Sequence, residues 1–146
     1  LGKIQDGGVL FLEVAESAQP VHYATRPGER RPLHTSAVAK AILARLAPAE
    51  REAVLAAVDY RRYTDRTLVT RAALLDDVAR VEARGWAENA GESVADLTGL
   101  AVALERAGEW YALCLAGPTP RVLARREPHV RSLAATAAAI RQQDEG

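Results

Sequence analysis

Between Thr70 and Gly85 the sequence spells one strongly marked amphipathic helix, and the rest of the chain has to fold around it. Leu74, Leu75, Val78 and Val81 recur at three- and four-residue spacing, which places them on a single face of a helix with 3.6 residues per turn. Thr70 stands where a side-chain oxygen can receive one of the first free amides, and Gly85 stands where a helix ends in the left-handed region. A stripe of this kind needs a partner surface, and the segments on both sides are rich in β-type sequence.

Upstream, Leu1 to Arg26 reads as strands. Gly7-Gly8 forms a turn between a short first run and Val9–Val14, and Pro20-Val21-His22-Tyr23-Ala24 makes a further strand. The stretch from Arg26 to Pro32 reads as a loop, because its prolines lack amide donors and its glycine is permissive. Thr35 and Ser36 are N-cap types ahead of a helix-forming run from Ala37 to Leu46. A second short helix starts near Pro48, with Val54, Leu55 and Val58 on one face, and a connector rich in Arg and Tyr follows. Downstream of Gly85, Trp86–Glu88, Leu97–Leu104 and Glu109–Leu115 read as strands, the last two joined at Ala107-Gly108, and Gly117-Pro118 ends the sheet. A last helix from about Pro128 to Gln142 carries Val130, Leu133, Ala137 and Ile140 as its stripe. Strands, helices, strands and a helix without strict alternation predict an α+β fold, a largely antiparallel sheet covered by helices.

The 146 residues suit one domain. Lys+Arg and Asp+Glu stand at 19 each, so no charge excess draws the chain to phosphate backbones or anionic lipid. Cys114 is the only cysteine, which excludes an internal disulfide and a thiolate zinc cluster and makes a cytoplasmic setting the default. No apolar run approaches the roughly 18–20 residues of a membrane span, so no membrane partner is expected. The chain starts at Leu1 inside a strand-like pattern, the expectation being that it is cut from a longer protein. His22, His34 and His129 lack metal-ligand spacing, and no nucleophile elbow, phosphate loop or dinucleotide fingerprint occurs. The expectation is a protein that is not an enzyme and uses neither metal nor cofactor. Arg61-Arg62 and Arg125-Arg126 read as solvated surface, since no helix-turn-helix accompanies them.

Four blocks carry a family likeness. Arg31-Pro32-Leu33-His34-Thr35-Ser36-Ala37-Val38-Ala39-Lys40-Ala41-Ile42-Leu43-Ala44 resembles the Pro-Leu-His-(three small residues)-x-Gly-Lys-Ala-Leu-Leu-Ala segment of IclR transcription regulators. Tyr63-Thr64-Asp65-Arg66-Thr67-Leu68 is similar to their Thr-x-x-Thr-(aliphatic) element, Leu74 to Trp86 to their following helix, and Ala112-Leu113-Cys114-Leu115-Ala116-Gly117-Pro118 to their Ala-Leu-Ser-(aliphatic)-Ser-Gly-Pro strand. The blocks come in the family's order and cover most of the chain. The resemblance implies a GAF-like effector-binding domain that takes a small organic acid. It also implies a full-length protein with an N-terminal winged helix-turn-helix that regulates transcription as a homodimer or tetramer. By the same resemblance, the expectation is that the DNA-binding domain and the first helix of the sensing domain lie outside this chain, and that DNA is met only through that part.

The chain departs from the family pattern at Ala39, where the family has glycine, and at Cys114 and Ala116, where it has serines. Its usual cysteine and proline one strand earlier are replaced around Gly99 and Ala103. By resemblance, the amides of Ala37 and Val38 with the Ser36 hydroxyl receive a carboxylate, a chemistry that a helix start supplies without a cationic side chain. The same residues also fit an ordinary capped helix. Glu92 matches an acidic position that meets the effector's polar end, or is a solvated loop residue. Cys114 and Ala116, two apart on a strand, share one face and make the pocket less polar, which points to a more apolar acid, aromatic ones included. Cys114 otherwise reads as a small buried hydrophobe. Tyr23 forms a pocket wall, or a plain core or interface aromatic. A module that keeps the fold, has lost its ligand and serves only oligomerisation is the alternative reading.

Overall fold

The computed structural model describes residues 1–20 and 23–146. β1 (Gly2–Gln5) and β2 (Gly8–Phe11) form a hairpin whose register pairs Gln5 with Gly8. Its turn is Asp6-Gly7, one residue earlier than the expected Gly7-Gly8, with φ of 51° and 76°. Positive φ at both central residues is the type I′ turn, which suits the twist of a hairpin and which Asp tolerates and Gly adopts freely. Of the expected strand over Pro20–Ala24, Val21 and His22 lie outside the described residues, while Tyr23 and Ala24 belong to no strand.

The expected loop before the first helix contains a strand, β3 (Arg30–Pro32), paired antiparallel to β2 with Val9 opposite Arg31. It is one edge of the sheet, where only one side of the backbone is laddered and a missing proline amide is tolerated. A 3₁₀ turn, Leu33–Thr35, leads into α1 (Ala37–Leu43), followed by α2 (Pro48–Leu55) and α3 (Arg71–Arg84). α3 has the expected ends: Thr70 Oγ1 accepts the Ala73 amide at 3.1 Å, and Gly85 sits at φ 88°. β4 (Ala87–Ala90), β5 (Leu97–Arg106) and β6 (Glu109–Pro118) complete the sheet, with β5 and β6 joined at Ala107-Gly108. α4 (Thr119–Ala124), which the sequence reading did not anticipate, precedes α5 (Arg126–Asp144).

The six strands of the described residues run in the order β3-β2-β1-β6-β5-β4, antiparallel throughout, so the fold is α+β. α1 is buried along its whole length. Val38, Ile42 and Leu43 pack with Leu74 and Val78 of α3 and with Val9, Ala101 and Ala112 of the sheet. Each such aliphatic side chain contributes about 1.5–3 kcal/mol relative to exposure. Strand alternation turns Leu100 and Leu104 to the opposite face, where they are buried together with Val122 of α4 and Ala137 of α5. No helix among the described residues is long and apolar enough to cross a membrane.

Candidate functional site

Strand alternation and register decide what faces the start of α1. Gly2 pairs with both Phe11 and Ala112, and Ala101 pairs with Cys114, so Phe11, Gly99, Cys114 and Ala116 look to the α1 side of the sheet. An added Cβ on Gly99 would lie 3.7 Å from Cys114 Sγ and 3.8 Å from the Ala37 methyl, which measures how closely β5 and β6 approach the first turn of α1. At that turn the first intrahelical bond runs from the Lys40 amide to Ser36 O at 3.2 Å, and the Ser36 side chain caps no amide. The leading amides of the helix and the positive end of its dipole are thus left for another acceptor.

Beside that turn lies a cavity of about 260 Å³. Its wall brings together Tyr23, Ser36, Ala37, Cys114 and Ala116. Val38 and Glu92, the other two residues singled out from the sequence, do not line it. The Val38 side chain is fully buried in the core. It packs beneath Gly2, where a Cβ would meet it at 3.2 Å, so only its amide belongs to the helix start.

Glu92 is neither a cavity wall nor a solvated loop residue. Its Oε1 accepts from Lys40 Nζ at 2.6 Å and its Oε2 from the Ala90 amide at 2.9 Å. The Lys40 ammonium, with no exposed surface, also meets Asp77 at 2.5 Å and donates to the Glu88 carbonyl at 2.9 Å. This buried cluster ties α1 to α3 and to the turn after β4. Thr64 and Thr67, from the Thr-x-x-Thr block, fasten the connector to the same turn, donating to the carbonyls of Gly91 at 2.6 Å and Glu92 at 2.7 Å. The outcome is a firm support for Asn89 and Ser93, which line the cavity and hydrogen-bond to each other at 3.1 Å.

The sequence reading missed Asn89, Ser93, Tyr63, Val94, Leu97 and Arg31, all of which line the cavity. Of the four exposed large hydrophobics among the described residues, Tyr23, Tyr63 and Val94 do so, which concentrates apolar surface at this one place. Burial pushes the Cys114 thiol up to about 11, so near neutral pH it is an uncharged, poorly nucleophilic wall group. His34 is buried under the turn that precedes α1, its Nε2 donating to the Arg61 carbonyl at 2.8 Å. Among the described residues no group of His, Cys, Asp and Glu could hold a metal ion. A larger hollow, about 630 Å³, adjoins along Phe11, Tyr23, Thr25, Cys114 and Ala116, so the Cys114/Ala116 face borders both spaces, and it runs to α4 and α5. Its wall mixes Glu13 and Glu16 with Arg121 and Arg125 and contains none of the residues that open α1.

Comparison with known proteins agrees with this architecture. Residues 1–142 match the family model for the C-terminal part of the bacterial transcriptional regulator IclR. The HTH-type transcriptional regulator BhcR of Paracoccus denitrificans is 35% identical over 124 residues, covering 84% of this chain and 44% of BhcR. The chain thus spans less than half the length of that relative. The solved C-terminal domain of the Escherichia coli regulator KdgR superposes with a TM-score of 0.82 at 26% identity, over 94% of this chain and 80% of that one. An IclR homolog from Microbacterium hydrocarbonoxydans, solved in complex with 4-hydroxybenzoate, superposes with a TM-score of 0.81 at 28% identity, over 95% of this chain and 57% of that one. These are regulators, and the shared domain is regulatory rather than enzymatic. The chain belongs to the IclR family and corresponds to its C-terminal, effector-binding domain.

Proposed function

We propose that this domain senses a small organic acid with an apolar, aromatic body, held with its carboxylate against the amides that open α1 and its body between Tyr23, Tyr63 and Leu97. The observation that carries the reading is that the uncapped start of α1 and the Cys114/Ala116 face border one cavity. Its volume of about 260 Å³ falls below the roughly 300–1,000 Å³ of sites for drug-sized ligands, which favours a small acid. The thiol of Cys114 and methyl of Ala116 add little polarity, and the related protein solved with 4-hydroxybenzoate binds an acid of this class. In the longer protein the domain acts within a homodimer or tetramer and biases DNA-binding heads on a preceding winged helix-turn-helix. A ligand does this only if it binds the two arrangements of the heads with different affinity.

Ala116 is exposed on the cavity wall, so Ala116→Phe fills the cavity without disturbing the core. Val38, enclosed in the core, is unsuited to that test. Isothermal titration of the chain with benzoate, 4-hydroxybenzoate and hexanoate is expected to show binding, strongest for the aromatic acids, and Ala116→Phe to abolish it with the circular dichroism spectrum unchanged. Absence of binding across the panel, or binding that survives Ala116→Phe, would overturn the reading.

A further inference from the structure

We infer that Arg31 makes the cavity selective for acids with a second anionic group, namely small dicarboxylates with an apolar spacer; this rests on the reading of the cavity as an acid-binding site. Arg31 is the only charged residue among the described residues that line it. Its direction follows from register. Arg31 pairs with Val9, and paired residues on antiparallel strands point to the same face, so Arg31 shares the side of Val9 and Phe11, toward α1. Its neighbour Arg30 points the other way and donates to the Gln5 carbonyl.

The guanidinium meets Glu29 at 2.7 Å and the Arg30 carbonyl at 3.3 Å, which leaves further donors of the same planar group for a ligand. The Arg31 side chain is exposed and that of Glu29 partly so, and an ion pair this open to water is weak enough for a ligand carboxylate to join or displace it. Arg31 sits on the edge strand and the amides sit at the start of α1, with Pro32 and the 3₁₀ turn between them. The two anion-seeking groups therefore occupy different parts of one wall. No carboxylate of the described residues lines the cavity to neutralise a second charge, and the remaining surface is largely that of Tyr23, Tyr63, Val94 and Leu97. A molecule with an acid at each end and hydrocarbon between matches that arrangement, and the bidentate fit of guanidinium to carboxylate supplies the selectivity.

The test compares benzoate with benzene-1,4-dicarboxylate by isothermal titration on the unmodified chain, Arg31→Met and Glu29→Gln. The dicarboxylate is expected to bind the unmodified chain about tenfold more tightly than benzoate, as one added charge-assisted contact allows. Arg31→Met should erase that difference while leaving benzoate within about threefold of its original affinity, and Glu29→Gln, which frees the guanidinium, should widen it. If benzoate binds but the second carboxylate adds nothing, or Arg31→Met weakens both acids equally, the assignment of Arg31 falls and the acid-binding reading stands. If neither acid binds the unmodified chain, the acid-binding reading falls and the inference with it.

Discussion

Lys40 is a charged side chain with no exposed surface, and the position of the helix that opens the site depends on it. Its ammonium is balanced by Asp77 and Glu92 and by the Glu88 carbonyl, so the cluster is paired but costly to open. Lys40→Met would leave two carboxylates facing one another with no cation between them. Urea unfolding is expected to show a loss of about 3–5 kcal/mol, partly recovered when Glu92→Gln is added. A loss below about 1 kcal/mol would mean that the cluster is open to water and behaves as a surface pair. The sequence alone did not disclose this role, because a lysine within a run of small and aliphatic helix formers carries no sign of its partners. Those partners, at 77 and 92, are brought to it by α3 and by the turn after β4. Glu92 was for the same reason read as either a pocket wall or a loop residue. Cys114 and Ala116 were legible as a pair, since two residues two apart on a strand share a face whatever the tertiary structure.

Elements whose ends are written locally were read correctly. α3 has its cap, its stripe and its stop in consecutive sequence, and the structure starts and ends it at Thr70 and Gly85. Thr70→Ala is expected to cost about 1 kcal/mol by loss of the bond to the Ala73 amide. Gly85→Ala should cost about 1–2 kcal/mol, because a Cβ is placed at φ 88° in the left-handed region. Thermal or urea unfolding of each variant checks both, and an unchanged midpoint for Gly85→Ala would show that the helix end relaxes to another conformation. Elements held by their neighbours were not legible. β3 is three residues with a proline, a strand only because β2 offers its edge, and α4 follows directly on a strand that Gly117-Pro118 was expected to close. Missing β3 also hid Arg31, whose direction is fixed by pairing with Val9 and has no signature in a polar Pro/Gly stretch.

At the scale of the whole molecule the sheet consists of two units with a narrow join. β3, β2 and β1 form one, and β6, β5 and β4 the other, with β5 and β6 paired from Leu97↔Pro118 to Arg106↔Glu109. Between the units the register gives the pair Gly2↔Ala112, and α1 packs across the join against Val9 on one side and Ala101 and Ala112 on the other. The candidate cavity spans the same join, with Phe11 and Arg31 from the first unit and Leu97, Gly99, Cys114 and Ala116 from the second. An acid bound as proposed would hold the two bodies together, and its binding energy would oppose their separation. At a free concentration of a hundred times Kd the ligand should add about 2.7 kcal/mol to unfolding and raise Tm accordingly. Amide exchange locates where that energy acts. Ligand is expected to slow exchange at residues 9–13 and 112–116, on both sides of the join, by more than in α3, whose core contacts the ligand does not touch. Protection at residues 112–116 and the first turn of α1, with none at residues 9–13, would show that the acid docks on the second unit alone. The domain would then lack the lever by which a small ligand changes the shape of something larger than its own pocket.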